Sequence, residues 1–145
     1  MKTVLGIVMI LSALVLAIAP AFTDCESHGK ALTTADGRTV SMKCHWAGVA
    51  EVAAAIPLGL AGIYALRGRR KETMRFAAIV GVASGAMAIL LPTLLIGVCA
   101  NPMMICNVLM RPIVLASGIL AMAASAGLFF VAREPELPAA PAVAA

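Results

Sequence analysis

Cysteine is the scarce reactive residue of this chain, and its four copies fall into two widely separated pairs. Cys25 and Cys44 bracket one polar stretch, and Cys99 and Cys106 bracket a second, shorter one. Thiols at such positions can form structural disulfides, cycle between thiol and disulfide, or bind a soft metal as thiolates. The chain has no CxxC, the spacing that lowers a thiol pKa and makes a nucleophile. It has no CxxCH either, so covalent haem attachment is excluded. Structural disulfides in an oxidising compartment need nothing further, and all four cysteines are expected to form them. A Cys25–Cys44 bridge closes a loop of about twenty residues, for which chain entropy gives roughly 3 kcal/mol. A helical Cys99–Cys106 segment would hold its ends about 10 Å apart. That exceeds the roughly 4.4–6.8 Å between Cα atoms that a disulfide needs. Asn101-Pro102 breaks such a helix and reverses the chain, which makes a local bridge feasible. Three pairings exist, and bridges between the two loops stay open beside the local ones.

A second group of side chains gathers around Cys44: Met42, His45, Trp46 and, one heptad further on, Glu51. Glu51 is the one ionisable residue inside an apolar run, and an acid within a membrane is a functional candidate by default. Seven residues put it on nearly the same helix face as Cys44. The plainer reading is a buried acid bonded to Ser, Trp or backbone, or paired with Arg111. Trp46 at the start of a span fits an interfacial aromatic belt. His45 with Met42 and Met103 or Met104 could hold Cu(I) or haem, with His28 and Met110 as further donors on that face. Methionine in an apolar loop is also ordinary packing material. The expectation is therefore no catalytic residue and no cofactor. Activity as an enzyme is left open, with a non-enzymatic role favoured.

These residues must be positioned by membrane spans. Of the 145 residues 62% are hydrophobic and 12% charged, far from the balance of a soluble domain. Four apolar runs, at about 3–22, 46–66, 76–98 and 113–132, match the roughly 20 helical residues that cross a bilayer. The alternating ten-residue segments of a β-barrel are absent. The fold class is thus all-α, a four-transmembrane-helix bundle forming one domain over residues 1–134. A disordered Pro/Ala tail follows over 135–145.

Charge sets the orientation. Arg67, Arg69, Arg70, Lys71 and Arg75 cluster between the second and third runs. Loops rich in Lys and Arg stay in the cytoplasm, so Lys2 and Arg133 are inside as well and both termini are cytoplasmic. Seven of the eleven basic residues then lie within. Both cysteine loops fall on the extracytoplasmic side of a plasma (inner) membrane. A basic cluster so short and so close to two spans reads as a topology signal facing the lipid bilayer, and nucleic acid is not an expected partner. Ala17-Ile18-Ala19 resembles a cleavage site, but the apolar stretch is too long for a signal peptide and Pro20 obstructs processing, so the first span is expected to be retained.

Between spans, Ser27-His28-Gly29 and Ala35-Asp36-Gly37-Arg38 read as turns. Thr39 to Cys44 alternates like a strand, which suggests a short hairpin tipped at Asp36-Gly37. In the spans, Gly81 and Gly85, and Ser117, Ala121 and Ser125, recur at four-residue spacing and let backbones approach closely within the bundle. Pro92 is expected to kink the third helix near its end, and Pro112 to open the fourth.

Taken together, Thr23-Asp24-Cys25, Met42 to Trp46 with Glu51, the basic loop, Leu95 to Cys99 and Pro102 to Cys106 resemble a prokaryotic membrane family. It is described as domain of unknown function four-four-one-eight. The resemblance covers the chain up to its tail. It implies a small four-span membrane protein, and it suggests as partner a larger complex such as an ABC-type transporter. The leading expectation is an accessory or structural subunit with a disulfide-stapled outer face. The alternatives are a membrane thiol–disulfide oxidoreductase using the two cysteine pairs and an outer-face Cu(I) or haem site.

Overall fold

The structure is a computed structural model and describes residues 1–68 and 70–132. The tail expected over 135–145, together with Arg69 and Arg133, lies outside the described residues.

Among the described residues four helices are each long and apolar enough to cross a membrane, the build of a multi-pass membrane protein. Helix α1 is Lys2–Thr23, α2 is Lys43–Arg67, α3 is Lys71–Leu90 and α4 is Arg111–Val131. Consecutive helices run antiparallel and close a ring, with α1 packed on α2 and α4, and α3 packed on α2 and α4. The soluble-protein pattern is inverted. Large apolar side chains such as Ile7, Leu11, Ile18, Ile56, Phe76 and Ile119 are exposed on the outside of the bundle, where lipid would meet them.

Inside, Met9, Leu16, Leu58, Met110 and Leu128 fill the core, and small residues line the closest helix contacts. With no hydrophobic gain from leaving lipid, helices associate through close packing. Gly6 and Gly62 face each other between α1 and α2, and a Cβ on Gly62 would lie 3.0 Å from the Gly6 carbonyl oxygen. Gly85 and Gly118 do the same between α3 and α4, at 3.0 Å from the opposing carbonyl. Gly81 sits against Ser125, so the small-residue faces of the third and fourth helices do meet. At the end of the bundle that carries the cysteines, Gly48 admits Pro20, whose Cβ would stand 2.9 Å from a Cβ placed there.

Both helices flanking the last loop change pitch. Leu91–Leu95 forms one π-helical turn after α3, and Cys106–Met110 forms another before α4. Pro92 lies in the first of these turns, where the Ile96 N–H donates to the Leu91 carbonyl at 3.0 Å. The expected disturbance at Pro92 is therefore a wide turn that carries the chain on to Gly97, which has φ 75°. Pro112 falls in the first turn of α4, as expected.

The hairpin forms, but shorter than its sequence suggests. Strand β1, Leu32–Thr33, pairs antiparallel with β2, Thr39–Val40, around a turn with Gly37 at φ 75°. The strand stops at Val40 because Lys43 and Cys44 already belong to α2. The Ser27-His28-Gly29 turn is also present, with Gly29 at φ 69° and its N–H donating to the Glu26 carbonyl at 2.9 Å.

A cluster of four thiols as the candidate functional site

The antiparallel ring brings four chain positions to one end: the end of α1, the start of α2, the segment after α3 and the approach to α4. Each carries one cysteine. Cys25 Sγ lies 3.6 Å from Cys106 Sγ and 3.9 Å from Cys99 Sγ. Cys99 Sγ lies 3.7 Å from Cys44 Sγ, and all four sulfurs fall within 4.8 Å of one another. Cys25, Cys44 and Cys106 are 0% exposed, and Cys99 is half-buried.

The expected disulfides are not shown. No pair of sulfurs stands at bonding distance, and all four cysteines are free thiols. The grouping also differs from two separate local staples, because the short contacts Cys25–Cys106 and Cys44–Cys99 both run between the loops. The cluster is a single site assembled from both.

Local structure explains how each thiol is held. The Thr23 hydroxyl donates to the Ala19 carbonyl at 2.7 Å at the end of α1. Asp24 then turns the chain, its Oδ1 accepting the Ser27 N–H at 2.8 Å. Cys25 follows at once and points inward. Cys44 occupies the first turn of α2, on the buried face that also carries Ala47, Gly48 and Glu51. Asn107 anchors the second loop. Its side-chain amide donates to the Cys99 carbonyl at 2.6 Å and to the Asn101 carbonyl at 2.9 Å, while Asn101 Oδ1 accepts the Met103 N–H at 3.0 Å. Asn107 was not singled out from sequence, where a lone Asn in a loop carries no distinguishing signal, and Asp24 entered only as part of Thr23-Asp24-Cys25.

Burial works against charge on Cys25 and Cys99. Burial, reinforced by Cys44 and Cys106, pushes the Cys25 thiol well above the ordinary thiol range. Burial and the same two neighbours push Cys99 up to about 11. Burial also works against the Asp24 carboxylate, but donors from Ser27 and His45 outweigh it and hold the group below its ordinary value.

Other candidates take different places. His45 Nδ1 lies 3.2 Å from Asp24 Oδ2 and 3.1 Å from Glu26 Oε2, so acids of the first loop engage it and it stands outside the thiol group. Trp46 is 59% exposed and meets the His45 ring edge-on at 5.7 Å. Met42 does adjoin the cluster, its Sδ 4.0 Å from Cys99 Sγ. Met103 is exposed, Met104 packs against the core and Met110 is wholly buried. His28 is exposed in its turn. The donors brought together among the described residues are the four cysteines, with Met42 beside them.

Glu51 is 0% exposed, and neither carboxyl oxygen has a hydrogen-bond partner among the described residues. The expectation of a bond to Ser, Trp, backbone or Arg111 is corrected: Arg111 lies at the surface and lines a different cavity.

No curated protein and no solved structure matches the chain. A family model described as a domain of unknown function, DUF4418, matches residues 2–131, which include all four spans and all four cysteines, and the chain belongs to that family.

Proposed function

We propose that this protein is a membrane-embedded metal-binding protein whose four thiolates hold one thiophilic ion, with Zn2+ the best geometric match. One observation carries the reading: the spacing of the sulfurs. Zn–S bonds of about 2.3 Å directed at tetrahedral corners place the sulfurs about 3.8 Å apart. The cluster's contacts are 3.6, 3.7 and 3.9 Å. An iron–sulfur cube spreads its thiolates over separate irons and needs a wider cradle than sulfurs all within 4.8 Å provide. Buried thiols make good ligands, since a bound ion displaces their protons and offsets the resulting charge. Four protein ligands leave no open position, so the site holds or hands on an ion and does not activate water.

The positive-inside rule puts this end of the bundle outside the cytoplasm, where thiols lacking a metal oxidise. The same geometry therefore supports a second, metal-free state with Cys25–Cys106 and Cys44–Cys99 disulfides. Each bridge would form by loss of two protons and two electrons to an external disulfide or quinone oxidant.

The test is metal analysis of the intact protein purified in detergent, together with Co2+ substitution. One equivalent of zinc per chain, and the visible bands of tetrahedral Co2+–thiolate, are the expected results. Stoichiometric loss of thiols without metal, with cross-loop disulfides in the peptide map, would overturn the metal reading in favour of the oxidised one.

A further inference from the structure

Three of the four sulfurs are sealed from solvent, so an ion cannot reach the cluster symmetrically. Cys25, Cys44 and Cys106 are 0% exposed, whereas Cys99 is half-buried. Cys99 also lines a separate cavity of about 360 Å³ whose wall includes Pro92, Gly97, Pro102, Asn107 and Arg111. A cavity of that size accommodates a small organic molecule. Its wall is largely polar, and Arg111 is exposed and forms no ion pair among the described residues. A guanidinium of fixed charge with a fork of donors is the side chain best suited to a carboxylate. Cys99 therefore has the cluster on one side and a cationic, solvent-open recess on the other.

We infer that Cys99 is the entry thiol of the cluster, and that the Arg111 recess receives a small anionic thiol bearing a carboxylate, from which or to which the ion passes. This rests on the metal reading above. In the transfer, a metal–sulfur bond to the carrier breaks as the bond to Cys99 forms, and the Cys99 proton leaves on the carrier's sulfur. The ion then sheds its remaining carrier thiolates or waters one at a time as bonds to the buried Cys25, Cys44 and Cys106 form, and each of their three protons leaves on the displaced thiolate or to water. Asn107, donating to the Cys99 carbonyl, holds the entry residue at the mouth of the recess.

The deciding experiment uses the full chain in detergent, reduced and metal-free, so that its outcome does not depend on whether zinc is the ion. The protein reacts with a mixture of anionic iodoacetate and neutral iodoacetamide, and each cysteine is mapped by mass spectrometry. Cys99 is expected to react ahead of the other three. Its iodoacetate-to-iodoacetamide ratio should exceed that of a free small thiol by about two- to fivefold, the range for one exposed charge pair. That excess should vanish in Arg111→Gln and persist in Arg111→Lys. Misfolding of Arg111→Gln would expose all four thiols alike, so the variant counts only where Cys99 still reacts ahead of Cys25, Cys44 and Cys106. First reaction at Cys25, Cys44 or Cys106, or an unchanged ratio in Arg111→Gln, overturns the inference. A second arm uses the zinc-loaded protein. Mercaptoacetate should extract zinc faster than cationic cysteamine, and Arg111→Gln should remove the difference; equal rates in the wild type overturn the carrier assignment. Absence of bound zinc at the outset would count against the metal reading and would leave the alkylation result standing.

Discussion

Cys25 and Cys106 are separated by 81 positions in the chain, yet their sulfurs stand 3.6 Å apart with both residues closed to solvent. Cys25 follows the turn that ends α1, and Cys106 opens the π-turn that leads into α4. Their contact is a statement about the whole bundle, since it exists only while α1 and α4 lie side by side. Any ligand that bridges them joins the first and last helices.

That linkage predicts a chelator effect on stability. A ligand bound only by the folded state stabilises it in proportion to the logarithm of ligand concentration over Kd. A strong zinc chelator should lower the thermal unfolding midpoint of the wild type in detergent. Cys25→Ser and Cys106→Ser should start from the lowered value and respond no further, as read by intrinsic fluorescence from Trp46 or by loss of soluble protein.

Asn107 should matter beyond its size. Its side chain bonds the carbonyls of Cys99 and Asn101, so Asn107→Ala frees the loop that carries the entry thiol. Loss of a residue that orients a metal ligand typically costs 10–100-fold in affinity, so roughly tenfold or more is expected here. Competition against a chromophoric zinc chelator measures it, and unchanged affinity would show that the loop holds its shape without these bonds.

Glu51 should prove dispensable for the fold. A buried polar group without partners costs stability. Glu51→Gln should unfold within about 1 kcal/mol of wild type, and Glu51→Leu at or above it, with zinc content unchanged. A marked loss in both variants would reveal an interaction essential to the bundle.

Two glycines offer a contrast. A side chain at Gly48 would meet Pro20 and push α1 from α2 beside the thiols, whereas one at Gly85 would meet Gly118 and Met122 between α3 and α4. Overpacking at either site costs about 1–3 kcal/mol. Gly48→Val should weaken zinc binding as well as stability, while Gly85→Val should lower stability with a smaller effect on the metal. Paired measurement of melting and zinc affinity separates them.

Much of this protein was legible in its sequence. The spans followed from apolar length, because a helix in lipid must satisfy its own backbone and about twenty residues suffice to cross. The turns at Gly29 and Gly37, and the tight faces at Gly81 and Gly85, followed from local chemistry: positive φ in the first two and absence of a side chain in the others. Alternation of four spans was enough to place all four cysteines at one end of the bundle.

How those cysteines associate at that end was decided only by tertiary structure. Pairing along the chain favours Cys25 with Cys44 and Cys99 with Cys106, since loop closure is cheapest there. The fold instead gathers all four into one group, because the rotation of each helix, fixed by close contacts such as Gly6–Gly62, Gly85–Gly118 and Gly48–Pro20, decides which way each thiol points. The same holds for His45, drawn to Asp24 and Glu26 by the turn after α1, and for Glu51, left without a partner on the buried face of α2. Apolar length and turn chemistry are properties of short segments and can be read from them. The meeting of four sulfurs depends on the relative rotation of four helices, which no segment contains.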